Sequence, residues 1–208
     1  YGIYWQPDGA TARQANIIIS NNKLKSCLYG VKLVSYLQNS SQVKISANLI
    51  TECTYGIELQ TIGSVVLDGL DIENNTVISS VASSWGIKLR SDDALYQCKN
   101  VKITSNRVQA LEYGIYWPLV TAGQVNISFN NLIGPFNTRA MEPRGCTHVN
   151  ILSNVFYGQS SGGQCLYTVN AQGSMKDNIF NECTDSNILN ITGTNDLGRN
   201  TPWWTPIG

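Results

Sequence analysis

The sequence predicts an all-β chain wound as a parallel β-helix, a single-stranded solenoid of about seven to eight coils. One observation is an asparagine that recurs every 24 to 31 residues, and a second is a glycine phrase with nearly the same period. A third is that the segments between them alternate apolar and polar residues, are rich in Ile and Val, and lack helical spacing. We therefore expect each coil to stack on the last, so that equivalent side chains form columns.

The asparagine column marks one bend of each coil. Ile stands three residues before each of the first six members, and an apolar residue stands two residues after every member. The column consists of Asn22, Asn48, Asn75, Asn106, Asn130, Asn154 and Asn178. Because Asn tolerates the left-handed region, we expect it to turn the chain and to hydrogen-bond through its amide to the coils above and below.

The glycine column marks a second bend in this interpretation, since glycine also adopts left-handed conformations. Each glycine is followed by Ile or Val, one variable residue, and then Leu or Trp. The members are Gly2, Gly30, Gly56, Gly86 and Gly114. The two phrases together predict two short strands per coil, with inward Ile, Leu and Val forming a dry core.

Other repeat architectures do not fit this pattern. No helical spacing supports a helical repeat, propeller blades need about 40 residues, and leucine-rich repeats carry several Leu per unit. We expect coils over residues 1–193 and a tail or cap over 194–208. Because Tyr1–Trp5 repeats nearly intact at Tyr113–Trp117, we also expect the chain to begin within a coil, truncated at its amino end.

Composition narrows the functional classes. The chain has 14 basic and 14 acidic residues, so no long-range field favours nucleic acid. No apolar run reaches the length of a membrane span, so we expect no membrane insertion. The single His148 and the lack of Cys-x-x-Cys spacing predict neither a metal site nor a cofactor. Cys27 and Cys53 fall on adjacent coils, and we expect free thiols there.

Two further columns suggest a ligand-binding strip. The residue before each glycine is aromatic, and the residue two after it is Tyr, Lys or Glu and is expected to point outward. Aromatic rings stack on sugar faces, while charges and hydroxyls bond to sugar hydroxyls. The candidate carbohydrate-binding residues are Tyr29, Tyr55, Trp85, Lys88, Arg90, Tyr113, Tyr116, Trp117 and Arg139. The alternative is structural: shielding rings and a charge ladder of Lys32, Glu58 and Lys88.

The candidate catalytic residues are Glu58, Glu112 and Glu142. Glycoside hydrolysis commonly uses two carboxyl groups about 5 to 9.5 Å apart. Glu58 and Glu142 share a column but stand about 14 Å apart by strand spacing, and Glu112 is offset from Glu142 along the neighbouring coil. A lyase would instead need a base beside a charge-neutralising group, which Lys88, Arg90 and Tyr116 offer.

Two segments interrupt the repeat. They are the insertion at residues 90–96 and the phrase at 138–144, where Ala140 replaces the glycine. Loops and irregular segments on rigid scaffolds often carry function.

Several phrases resemble right-handed β-helix proteins of the pectate-lyase-like superfamily, and the resemblance covers nearly the whole chain. They are residues 16–22, 56–59, 86–89 and 101–106. Low charge, abundant Asn, Ser and Gly, and the Pro- and Trp-rich ending at 201–208 look most like the shaft of a bacteriophage tailspike, often a polysaccharide depolymerase. The resemblance implies a homotrimer in the virion tail, folded in the host cytoplasm, that binds and often cleaves a bacterial surface polysaccharide.

The catalytic motifs of this group are not matched. Neither the paired Asp set of polygalacturonases nor the calcium-binding Asp cluster of pectate lyases can be placed on this chain. Enzymatic activity, as a glycoside hydrolase or a polysaccharide lyase, is therefore left open. The alternatives are a bacterial polysaccharide lyase or epimerase, secreted or at the cell surface, and a non-enzymatic adhesin or structural shaft.

Overall fold

The chain forms a parallel β-helix of three sheets, which confirms the predicted fold class. The computed structural model describes residues 1–6, 15–35, 40–61, 66–91, 97–117, 122–159, 163–168, 173–181, 189–191, 196–197 and 201–203. Over these residues it contains β-strands and no helix. Each sheet holds eight strands, all paired in parallel with the equivalent strands of the neighbouring coils.

The three sheets are named A, B and C. Sheet A contains β1 (Ile3–Trp5), β4 (Tyr29–Ser35), β7 (Tyr55–Thr61), β10 (Trp85–Ser91), β13 (Tyr113–Trp117), β16 (Arg139–Pro143), β19 (Gln164–Thr168) and β22 (Leu189–Ile191). Sheet B contains β2 (Ala15–Ser20), β5 (Ser40–Ser46), β8 (Val66–Glu73), β11 (Gln97–Thr104), β14 (Ala122–Ser128), β17 (Cys146–Leu152), β20 (Gly173–Lys176) and β23 (Asp196–Leu197). Sheet C contains β3 (Lys23–Lys25), β6 (Leu49–Thr51), β9 (Thr76–Ile78), β12 (Arg107–Gln109), β15 (Asn131–Phe136), β18 (Val155–Gln159), β21 (Ile179–Asn181) and β24 (Thr201–Trp203).

The third strand of each coil corrects the expectation of two. It forms around the apolar residue two positions after each column asparagine, where Ile50 and Val77, for example, are buried. Strands β23 and β24 lie within 194–208 and pair with the preceding coil. The rest of the predicted tail or cap lies outside the described residues.

The core is a set of stacked aliphatic columns, one from each sheet. In sheet B the fully buried column contains Ile45, Ile72, Ile103, Ile127 and Ile151. Burying each such side chain contributes about 1.5–3 kcal/mol. The inward columns therefore supply the main driving force for stacking one coil on the next.

The asparagine column forms a continuous ladder of hydrogen bonds, as predicted. Asn106 illustrates it: its Oδ1 accepts from the backbone N–H and from Nδ2 of Asn75, each at 3.0 Å. Its Nδ2 donates to Oδ1 of Asn130 at 3.0 Å and to the Ile72 carbonyl at 2.8 Å. Both groups of the buried amide are thus doubly bonded, and the same pattern runs from coil to coil.

The left-handed residue of this bend is the one before the asparagine, which corrects the prediction. Its φ lies between 52° and 60° in every coil from Asn21 to Asp177. The residues are Asn21, Ala47, Asn74, Ser105, Phe129, Ser153 and Asp177. Because the chain turns at that residue, the asparagine side chain points into the core and reaches its neighbours.

The glycine column serves close packing rather than a bend, which is a second correction. None of its five members is among the described residues with positive φ. A Cβ built on Gly56 would lie 2.3 Å from a methyl of Val77 and 2.5 Å from the carbonyl oxygen of Gly86. Only glycine lets sheet A approach sheet C and the next coil this closely.

We predict that Asn106→Ala lowers the free energy of unfolding by roughly 3–6 kcal/mol, since each buried polar group left without a partner costs about 1–3 kcal/mol. The change removes the acceptor of the Asn75 amide and the donor to the Ile72 carbonyl. Urea unfolding would measure the loss. Asn131→Ala, at an exposed position of β15, is the control and should change stability little. Equal small losses for both would contradict the ladder's structural role.

We predict that Phe129→Gly raises the free energy of unfolding by about 0.5–1 kcal/mol, because a non-glycine residue in the left-handed region costs about 1–2 kcal/mol. Phe129 has φ 57° and its side chain is 65% exposed, so little burial is lost. The control is Leu49→Gly in β6, an exposed strand position where glycine should destabilise instead. Chemical unfolding of the two variants should therefore give shifts of opposite sign.

Candidate functional site

The outer face of sheet A carries an unbroken aromatic column. It consists of Tyr1, Tyr29, Tyr55, Trp85 and Tyr113, whose successive ring centroids lie 4.5–6.0 Å apart. The strand register continues this column with Arg139, which pairs with Tyr113, and then with Gln164. The rings stack because parallel strands place equivalent side chains about 4.8 Å apart.

A second column, the charged column, runs beside it. The register aligns Tyr4, Lys32, Glu58, Lys88, Tyr116 and Glu142. The two columns touch: Nζ of Lys88 lies 4.2 Å from the Trp85 ring centroid, and Nζ of Lys32 lies 4.2 Å from that of Tyr29. Tyr116 packs edge-on against Trp85 at 4.8 Å. The face therefore carries a column of rings beside a column of mostly charged residues, the arrangement that the two sequence columns predict.

Glu58 lies at the centre of the charged column, bound by a lysine on each side. Its carboxylate oxygens lie 3.1 Å from Nζ of Lys32 and 3.5 Å from Nζ of Lys88. The Glu58 side chain is 1% exposed and the two lysines 13% and 11%. The expectation that this outward row faces solvent is thus wrong for Glu58, because flanking side chains cover it.

The two lysines respond differently to this environment. Burial lowers the pKa of Lys32, but the hydrogen bond and charge of Glu58 outweigh it, so the pKa of Lys32 is raised. Burial lowers the pKa of Lys88, the charge of Arg90 adds to that effect, and Glu58 offsets only part of it. Lys88 therefore gives up its proton more readily than an ordinary lysine.

Glu142 forms a second cluster three rungs away. It is fully buried and ion-paired with Arg139 and Arg144. Nε of Arg139 also donates to Oε1 of Gln164 at 3.0 Å. The guanidinium carbons of Arg139 and Arg144 lie 3.8 Å and 5.3 Å from the ring centroid of Tyr167. Glu142 consequently holds two arginines over one ring.

Two tyrosines next to this cluster remain protonated near neutrality. Burial raises the pKa of Tyr113, and the nearby Glu142 raises it further. Burial and then Glu142 raise the pKa of Tyr116 in the same way. Both phenols therefore favour the protonated form, which can donate a hydrogen bond.

The three predicted catalytic carboxylates do not form a pair. Glu112 accepts a hydrogen bond from the Thr138 hydroxyl, and the register places it beside Thr138. Glu142 lies four residues beyond Thr138 along the chain, which is about 13 Å at the rise per residue of a strand. Glu58 and Glu142 are separated by three rungs, about 14 Å. Neither spacing matches the carboxyl separation of glycoside hydrolases, and the catalytic role remains a prediction.

Two further predicted binding residues, Trp117 and Arg90, differ in how far they are buried. Trp117 requires a correction: it is 0% exposed and occupies the inward column of sheet A, so its ring lines the core instead of the binding face. Arg90 is exposed and lies beside Gln60 on the outer face. Residues 92–96 of the insertion that Arg90 begins lie outside the described residues.

Sequence reasoning missed three members of the second cluster. Arg144 lies in the irregular phrase at residues 138–144, and neither Gln164 nor Tyr167 is among the predicted binding residues. A signal existed, because Cys165 takes the glycine position of the next coil, one residue after Gln164 and two before Tyr167. Extending both outward columns by one coil would have found Gln164 and Tyr167.

The cysteines and the described acidic groups show no metal site. Cys27 and Cys53 are free, as expected, whereas Cys165 is disulfide-bonded. Cys183 lies outside the described residues. Within the parts of the chain that the structure covers, no group of three or more His, Cys, Asp or Glu could hold a metal ion. No helix in those parts is long and apolar enough to cross a membrane.

The chain matches the model of a known family. The family described as "Right handed beta helix region" matches residues 1–138, more than half of the 208-residue chain. No curated protein and no solved structure matches the chain significantly.

We predict that Glu58→Gln lowers the free energy of unfolding by about 3 kcal/mol, because removing one partner of a buried ion pair leaves uncompensated charge. The two lysines would then share a covered site without a counter-ion. The triple variant Lys32→Met, Glu58→Met, Lys88→Met removes all three charges and should recover most of the loss. Thermal unfolding at neutral pH compares them, and an equally destabilised triple variant would contradict this interpretation.

The loss in free energy of unfolding caused by Glu58→Gln should also become smaller at alkaline pH. The raised pKa of Lys32 stabilises the wild-type fold below the unfolded lysine pKa of about 10.4, and this contribution is lost as pH rises through the folded value. Deprotonation also relieves the lysine repulsion in the variant. The free energies of unfolding of the wild type and of Glu58→Gln, measured from pH 7 to pH 11, should therefore become more similar as pH rises. A constant difference between them would argue against an electrostatic origin.

Proposed function

Because this chain belongs to the right-handed β-helix family, we propose that it binds a bacterial surface polysaccharide along the outer face of sheet A. The single observation that supports this most is the unbroken aromatic column with cations beside its rings. Tyr29, Tyr55, Trp85 and Tyr113 are half-buried, so they offer part of their ring surface and are held in place by their neighbours.

The chemistry of the face suits a sugar polymer. Aromatic faces accept the apolar faces of sugar rings, while charged and hydroxyl groups bond to sugar hydroxyls. Tyr113 and Tyr116 supply protonated phenols, and Lys88 supplies a cation over the ring of Trp85. Because the pattern repeats about every 4.8 Å along the helix axis, it offers equivalent contacts to successive units of an extended chain.

We further propose that the chain is part of a bacteriophage tailspike that assembles as a homotrimer in the virion. The support is the resemblance in composition and repeat phrases. The alternative location, secreted or at a cell surface, gains support from the disulfide-bonded Cys165, since disulfides persist in oxidising compartments.

Binding without hydrolysis fits the geometry best. Glu58 and Glu142 are covered and each is engaged by two cations. Among the three candidate carboxylates, Glu112 and Glu142 are spaced by about 13 Å along the strand. This arrangement also agrees with the alternative of an adhesin or structural shaft. The two differ in whether the rings contact a ligand.

A polysaccharide lyase or epimerase is the second candidate function, favoured by Lys88. Its pKa is lowered, as a proton-abstracting base requires, and Arg90 on the same strand could neutralise a substrate carboxylate. A lyase would generate an unsaturated product with ultraviolet absorbance. Incubation with uronate-containing polymers tests this candidate, and Lys88→Met should abolish any such signal.

We predict that Trp85→Ala weakens polysaccharide binding about tenfold, since loss of a stacking ring costs on the order of 0.5–1.5 kcal/mol beyond its area. Isothermal titration against a panel of capsular and O-antigen polysaccharides measures the affinity. Tyr157→Ala, which removes an exposed aromatic residue on sheet C, is the matched control and should bind normally.

The structural alternative gives a different result in the same experiment. If the aromatic column only shields the sheet, Trp85→Ala loses stability in thermal unfolding while any polysaccharide affinity stays unchanged. Absence of binding to every polymer in the panel by the wild-type protein would overturn the proposed function.

A further inference from the structure

We propose that the polysaccharide is acidic, and that Arg139 and Arg144 form a subsite for the carboxylate of one of its sugars. This inference rests on the proposed function, which it makes more specific. The subsite lies at the end of the aromatic column, where Arg139 takes the position next to Tyr113. A carboxylate-bearing sugar stacked along the column would therefore meet it.

The buried Glu142 explains how the arginines are positioned. A fully buried carboxylate is costly unless it is paired and hydrogen-bonded, and Glu142 engages Nη1 of Arg139 and Nε of Arg144. Gln164 accepts from Nε of Arg139. Arg139 is thus held by hydrogen bonds to Glu142 and Gln164, and Arg144 is held by its ion pair with Glu142. In the described part of the chain, no further protein hydrogen bond occupies Nη2 of Arg139 or the Nη groups of Arg144.

Tyr167 lies under both guanidinium groups. Its ring centroid is 3.8 Å from the guanidinium carbon of Arg139 and 5.3 Å from that of Arg144. Stacking on an aromatic face leaves the edges of a guanidinium for hydrogen bonding. A planar fork with a fixed orientation suits bidentate recognition of a carboxylate.

Exposure distinguishes this cluster from the one around Glu58. The side chains of Arg139 and Arg144 are 19% and 30% exposed above a carboxylate with no exposure. The lysines that bind Glu58 are only 13% and 11% exposed. Both carboxylates are therefore covered, and the arginines are the more exposed of the cations that bind them.

Charge on this face favours an anion as well. The described residues of the face include five cations and three carboxylates, although the whole chain is neutral. They are Lys32, Lys88, Arg90, Arg139 and Arg144 against Glu58, Glu112 and Glu142. A local positive excess attracts acidic polymers, and its effect weakens as salt rises.

The test compares one polymer in two forms. The probe is an acidic capsular polysaccharide with one uronic acid per repeat, used as isolated and after chemical reduction of its carboxyl groups to alcohols. We expect the wild-type protein to bind the acidic form at least about tenfold more tightly, since charge-assisted hydrogen bonds are lost on reduction. Equal affinity for both forms overturns the subsite and leaves the proposed function standing. If the protein binds neither form and also binds no neutral polymer, both the subsite and the proposed function are overturned.

Variants assign the preference to the subsite. Arg144→Gln should lower affinity for the acidic form about tenfold and leave affinity for the reduced form unchanged. Arg144→Lys keeps a cation beside Glu142, so it should fold even if Arg144→Gln does not. We expect it to lose part of the preference for the acidic form. Lys102→Gln removes the same charge from an exposed position of sheet B and is the control. An unchanged preference in both Arg144 variants would contradict the assignment.

Discussion

The hydrogen-bonded asparagine ladder holds the coils of this protein in register. Each buried amide bonds to the coil before it and the coil after it, so a slip of one residue would leave several polar groups unpaired in the core. Aliphatic burial drives stacking but is not directional. The directional hydrogen bonds of the amide ladder fix the register of the coils, and this register aligns the side chains of every other column.

The candidate site depends on this register. The aromatic column exists because equivalent positions superimpose at rung spacing, and Glu58 meets two lysines only because the coils before and after place them beside it. The same alignment brings Glu142 next to Tyr116. The site therefore lies on a rigid sheet, and its long dimension follows the helix axis, as an extended ligand requires.

The periodic features were predictable from sequence, and the local ones were not. Spacing alone identified the columns, because a solenoid converts sequence period into spatial stacking. Spacing does not report how neighbouring side chains cover one another, so Glu58 was expected at the surface and Trp117 on the binding face. It also does not reveal which residue turns the chain: the left-handed φ falls before the asparagine, and Gly56 is required by its contact with Val77.

The most direct measurement is a crystal structure of the protein with a bound oligosaccharide from a polymer that it binds. We expect sugar rings over Tyr55, Trp85 and Tyr113, with a sugar carboxylate at Arg139 and Arg144. A ligand seated on sheet B or sheet C, with the aromatic column uncovered, would contradict the assignment of the binding face to sheet A.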